Sequence, residues 1–117
     1  MRVYAFKGDS KGFMEIENTL EAEQAFVGGL IEKVALTERI DLICNEEFLL
    51  QGLEPRVAMD LGGKLPQIIC GDCFICRHDG RGNFVSIREE DLELIAKKII
   101  HLDTPLSKLL AVITMLA

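Results

Sequence analysis

Two hydrophobic rhythms alternate along the chain. In "MRVYAFKGDSKGFMEIE", residues 1–17, two runs rich in β-branched and aromatic residues flank Gly-Asp-Ser-Lys-Gly, which predicts a β-hairpin. The period lengthens in "NTLEAEQAFVGG". Leu20, Ala22, Ala25 and Phe26 give a short helix its apolar contacts, Asn18 and Glu21 have capping-box spacing, and Gly28-Gly29 ends it. The two-residue period returns in "LIEKVALT" and "IDLICNEE", predicting two strands joined at Glu38-Arg39. In the second, Ile40, Leu42 and Cys44 share one face; Asp41, Ile43 and Asn45 share the other.

"FLLQGLEPRVAMDLGGK" carries Gly, Pro and a Gly-Gly pair, and reads as a loop with one helical turn over the core through Leu49, Leu50 and Leu53. "LPQIICGDCFICRHD" is the longest strand candidate, followed by a "GRGN" turn and the short strand "FVSI". Ser86 and Glu89 repeat the capping-box spacing before the helix "REEDLELIAKKIIHL", with Leu92, Ile95, Ile99 and Leu102 as its apolar stripe. Thr104 and Pro105 then start a last helix, "PLSKLLAVITMLA". The expected fold class is α+β: a mostly antiparallel sheet of five or six strands, one short internal helix and two C-terminal helices. The chain reads as a single domain over residues 1–117, with an α+β core at 1–102 and an apolar helix at 103–117.

Composition adds boundaries to this picture. A chain of 117 residues buries roughly two-thirds of its unfolded surface, enough for a core without staples. The net charge of -6 supplies no general field for gripping nucleic acid, so no direct nucleic-acid binding is expected. No basic segment precedes an apolar run, and the apolar C-terminal run is too short to span a bilayer, so neither a signal peptide nor membrane association is expected. With four cysteines, this points to a cytoplasmic protein with free thiols.

Three of those cysteines, Cys70, Cys73 and Cys76, sit at three-residue intervals with His78 beyond. A structural zinc needs about four ligands within 2.0–2.3 Å. In a straight strand Cys70 and Cys76 lie about 20 Å apart, with Cys73 on the opposite face. A metal site there requires a sharp turn at Gly71-Asp72, and there is no second CxxC. Alternation explains the segment better: Ile68, Cys70, Phe74 and Cys76 on one face and Ile69, Cys73 and Ile75 on the other, a strand buried on both sides with cysteine as a small hydrophobe. No metal and no cofactor are expected.

No catalytic motif stands out. His78 and His101 sit in no recognisable catalytic signature, "EED" at 89–91 suits a helix's first turn, and neither "GGLIEK" nor "DGRGN" matches a phosphate-binding fingerprint. Asn45 and Glu46, where an apolar strand ends, are candidates for a ligand-facing rim. Arg56, Arg77, Arg81 and Asn83 are candidate donors to an anion. The last helix is the clearest anomaly: Leu106, Leu109, Leu110 and Ile113 form a face expected to cover the core, while Val112 and Met115 carry apolarity round the back. Leu109, Val112, Ile113, Met115 and Leu116 are the expected interface of a homo-oligomer.

"TLEAEQAFVGGLIEKVAL", "IDLICNEE", "QGLEPRVAMDL", "IICGDCFI" and "GNFVSIREEDLE" occur in an order that resembles an uncharacterised family, a domain of unknown function common in phages, plasmids and conjugative elements. The resemblance spans about residues 1–100 and departs from the common pattern after Pro105. No catalytic residues are established for that family, so it assigns none here. Its genomic setting implies an accessory protein that counters host defence; an enzyme degrading the immune signal would need a base or metal set that the sequence does not display, so a non-enzymatic protein is expected. One mechanism is an oligomeric sponge that sequesters a small anionic, nucleotide-like immune signal. The alternative is an inhibitor that docks on a host nuclease or a CRISPR or restriction effector.

Overall fold

In a computed structural model, which describes residues 1–116, nine strands and three helices stack as helix, sheet, sheet, helix. The larger sheet, sheet A, is built from β1 (Arg2–Lys7), β2 (Ser10–Glu15), β3 (Ile31–Ala35), β4 (Ile40–Asn45), β7 (Cys73–His78) and β8 (Phe84–Val85). Its order is β2-β1-β7-β4-β3, with β8 beside β7. Sheet B has the order β6-β5-β9, from β6 (Gln67–Cys70), β5 (Pro55–Met59) and β9 (Ile99–His101). Every pairing among the described residues is antiparallel, as the short connections predict. The fold is α+β as expected, with the strands divided between two sheets.

Each layer follows from side-chain alternation. Phe6, Leu42, Cys44, Cys73 and Ile75 of sheet A meet Val57, Met59, Ile69 and Ile99 of sheet B in the central layer. The opposite face of sheet A presents Val3, Ala5, Ile43, Phe74 and Cys76, closed by Val27 of α1 (Leu20–Val27). The outer face of sheet B presents Ala58, Ile68, Cys70 and Leu102, met by Ala111 of α3 (Pro105–Leu116). Strands buried on both faces have no polar side to mark them, which is why β4 and β7 read as continuous apolar runs.

Four local expectations change. The 67–78 segment is two strands in different sheets: Gly71, at φ +82°, turns the chain from β6 into β7, and a Cβ there would sit 2.6 Å from Leu53 Cδ1. Residues 55–59, expected as loop, are the fully buried central strand of sheet B, while Leu49 and Leu50 are exposed. The helix expected to reach Leu102 ends as α2 (Leu92–Lys98); Ile99–His101 pairs with β5 instead, and Leu92 is exposed. The α1 cap moves by one residue: Thr19 Oγ1 accepts from the Ala22 N–H at 3.2 Å, while Asn18 Nδ2 donates to the Phe84 carbonyl at 3.0 Å.

Candidate functional site

Register on sheet A gathers ionisable side chains beneath α1. Asp41 lies opposite Cys76 and Ala35, Lys33 opposite Ile43, and His78 opposite Phe84, so these side chains share the outer face. His78 Nδ1 and Asp41 Oδ2 are 2.5 Å apart, the carboxylate accepting from the ring N–H. Asp41 is fully buried, and its Oδ1 has no hydrogen-bond partner among the described residues. α1 adds Glu23, only 4% exposed, whose carboxyl makes no hydrogen bond among the described residues. Burial pushes the Glu23 carboxyl above its ordinary value. Burial first, then the Asp41 and Glu23 carboxylates, push the Cys76 thiol up to about 12. That thiol is therefore no ready nucleophile for the neighbouring imidazole.

The β7–β8 turn divides the surface above this cluster. Asp79 Oδ1 accepts the backbone N–H groups of Arg81 (2.8 Å) and Asn83 (2.9 Å), and Asp79 Oδ2 accepts Asn83 Nδ2 at 3.2 Å. These bonds hold the Asp79 carboxyl below its ordinary range. Gly82, at φ +84°, borders a cleft on each side. One, of about 430 Å³, is lined by Asn18, Leu20, Glu23, Asn83 and Phe84. The other, of about 300 Å³, is lined by Lys33, Glu38, Arg39, His78, Asp79 and Gly80. Both fall within or near the lower range of small-molecule sites.

The residues singled out from sequence do not share one pocket. Arg81 and Asn83 meet around Asp79, and Asn83 lines the larger cleft. Arg77 is on the opposite face of β7, held by Asp91 through two bonds, Nε to Oδ2 at 2.7 Å and Nη2 to Oδ1 at 2.5 Å. Arg56 is buried in β5 and pairs with Asp72 at 3.2 Å, its Nε unpartnered among the described residues, beside a separate cleft at Gly28 and Gly71. Asn45 is fully buried: Nδ2 donates to the Val27 carbonyl and to Gln51, and Oδ1 accepts from the Glu47 N–H. It shapes the turn after β4, and Glu46 beside it is exposed. The signal that sequence reading missed is Glu23, an acid on the inward face of a helix.

The three spaced thiols occupy three layers: Cys70 under α3, Cys73 between the sheets, Cys76 under α1. Among the described residues, no three His, Cys, Asp or Glu side chains form a metal-holding group.

α3 reverses the expected orientation. Ala111 is its one buried residue, with Ser107, Lys108 and Thr114 half-buried on the same side. Leu106, Leu109 (57% exposed), Leu110, Ile113 (56%) and Leu116 (82%) face outward, with Val112 and Met115 also exposed. Small residues let the helix approach sheet B closely, which leaves the leucines on the far side. Ile100, opposite Ala58 on the outer face of sheet B, is exposed too. No helix among the described residues is long and apolar enough to cross a membrane.

Fold and site together define a small two-sheet α+β domain with a divided polar cleft on one face and an uncovered apolar helix on the other. The chain belongs to the family described as Domain of unknown function (DUF3846), whose model matches residues 1–100. The match ends within β9, before α3. Neither the curated proteins nor the solved structures yield a match.

Proposed function

We propose that the protein is a non-catalytic binding protein that assembles as a homo-oligomer through α3 and sequesters a small anionic, nucleotide-type ligand. Its setting is a phage or other mobile element, and its work is to blunt a host defence signal in the host cytoplasm. The outward apolar face of α3 carries the assembly. Burying each leucine-sized side chain contributes roughly 1.5–3 kcal/mol, and a symmetric helix pair buries them from both copies. The divided cleft supplies the place for a ligand, and the buried, proton-retaining thiols favour holding a ligand over attacking it.

Light scattering at micromolar concentration tests the assembly. The wild type is expected as a dimer or larger, and Leu109→Glu with Ile113→Lys as a monomer with an unchanged circular dichroism spectrum. A monomeric wild type overturns it. The second reading, an inhibitor docked on a host nuclease or a CRISPR or restriction effector, is favoured by the net charge of -6, which suits a basic partner surface. It replaces the first if the wild type is monomeric and α3 is needed to bind a purified effector.

A further inference from the structure

The larger cleft has an unusual polar inventory. Glu23 brings two carboxyl oxygens that accept no hydrogen bond among the described residues, although the residue is only 4% exposed. Asn18 donates one Nδ2 hydrogen to the Phe84 carbonyl and Asn83 one to Asp79, so each exposed amide keeps its oxygen and a second N–H for other contacts. Glu23 is the nearly buried member of the set, and its carboxyl lines the cleft with no protein donor among the described residues, which leaves it for a donor-bearing ligand. The remaining side chains, Leu20 and Phe84, are apolar, and an aromatic face of this kind is where a flat ring stacks. Across Gly82 the second lobe adds cations: Lys33 and Arg39 form no ion pair among the described residues and His78 Nε2 makes no hydrogen bond there, beside the Glu38 carboxylate and an Asp79 carboxylate whose oxygens are taken by Arg81 and Asn83.

A flat ring with adjacent donors on one edge, joined to an anion, fits this pair of lobes. Guanine is the common nucleobase that presents an N–H and an amino group side by side, matched to the two oxygens of one carboxylate. We propose that the divided cleft is a guanine-nucleotide site, with the base against Leu20 and Phe84, its N1–H and 2-amino donors on Glu23, and its phosphates on Lys33 and Arg39. This rests on the nucleotide-type ligand proposed above and adds which base is held and by which residues. Gly82 separates the lobes in a left-handed conformation that a side chain rarely adopts, with open space where a Cβ would stand.

Isothermal calorimetry on the full chain tests it with GDP, IDP, ADP, CDP, guanosine and inorganic phosphate. GDP is expected to bind best. IDP, which lacks the 2-amino group, is expected about 10-fold weaker, and Glu23→Gln is expected to lose about 10- to 100-fold for GDP and the preference over ADP, the range for a two-point carboxylate contact. Lys33→Ala with Arg39→Ala should weaken GDP and leave guanosine unchanged. A thermal melt confirms that each variant is folded. Equal binding of all four diphosphates, binding of phosphate alone, or no binding at all overturns the proposal. The Leu109→Glu, Ile113→Lys variant keeps the two readings apart. A variant that is monomeric beside an oligomeric wild type and still binds GDP supports both readings, a wild type that is itself monomeric and binds GDP overturns the oligomer and supports the site, and an oligomeric wild type that binds no nucleotide overturns the site and leaves the assembly standing. Recovered GDP is expected intact by chromatography.

Discussion

α1 and α3 lie over opposite outer faces of the same pair of sheets, and they cover them by opposite means. α1 turns large groups inward: Val27 is buried, and the Phe26 ring meets Phe74 edge-on with centroids 5.5 Å apart. α3 turns Ala111 inward and its leucines outward. The face under α1 is sealed, while the face under α3 is bridged with its apolar surface relocated to the outside. The difference separates two uses of an apolar helix. One stabilises the fold that carries it, and the other leaves most of its apolar area exposed. The family match covers the first helix and stops short of the second.

The largest effect expected from this contrast lies at Phe74, which is fully buried in sheet A. Phe74→Ala is expected to cost about 3–5 kcal/mol in urea unfolding, by lost burial and the cavity left behind. Ile68→Ala, beneath α3, is expected to cost about 2 kcal/mol, because a helix seated on alanine can settle into the space. Equal costs at the two positions would mean that α3 is as firmly seated as α1.

The next effect concerns how the helices are anchored. The turn ahead of α2 is fixed to sheet A by the Arg77–Asp91 pair, with Asp91 Oδ2 also accepting the Arg88 N–H at 2.9 Å. α3 is tied by Lys108 to the exposed carboxylates of Asp9 and Glu54, at 3.2 and 2.9 Å. Arg77→Ala leaves a nearly buried carboxylate with the Arg88 N–H but no paired cation and is expected to cost about 3 kcal/mol. The Arg77 hydrogen bonds, with help from the Arg88 N–H, hold the Asp91 carboxyl below its ordinary value. A lowered carboxyl contributes stability above the unfolded value and loses it as pH falls through the folded one. The wild type should thus lose stability on acidification below about pH 4, and Arg77→Ala should show a flatter acid limb. Parallel acid limbs would place the stabilisation elsewhere.

The sequence was most legible where a strand keeps one face to one layer. Ile40, Leu42 and Cys44 enter the same core, as do Ile69, Cys73 and Ile75, across a sheet change that alternation alone does not reveal. It was least legible where two signals competed. In β5, Pro55, a charge at Arg56 and nearby glycines look like loop, yet Arg56 is accommodated by its pair with Asp72. At Ile99 one residue satisfies both the helical stripe of α2 and the strand register of β9, so periodicity could not choose. In α3 the leucines dominated the reading, whereas close approach is decided by Ala111. The cleft was hidden for a different reason: Asp41 and His78 are 37 residues apart, and only the β4–β7 register joins them.

The smallest effect is a difference in thiol access, and it tests the contrast without disturbing the core. Cys70 lies under α3 and Cys76 under α1, each almost fully buried. Burial pushes both thiols upward, Cys76 to about 12, so neither reacts with a disulfide reagent near neutral pH while its cover is closed. Reaction then reports opening. Release of α3 uncovers Cys70 alone, because Cys73 stays between the sheets and Cys76 stays beneath α1. One of the four thiols is therefore expected to react in an early phase that Cys70→Ser abolishes, with the other three following global unfolding. If an oligomer clamps α3, Leu109→Glu with Ile113→Lys should speed that phase about 10-fold, a modest change in a local opening equilibrium. A single phase for all four thiols, slowing in step with global stability, would show that the two helices are held alike.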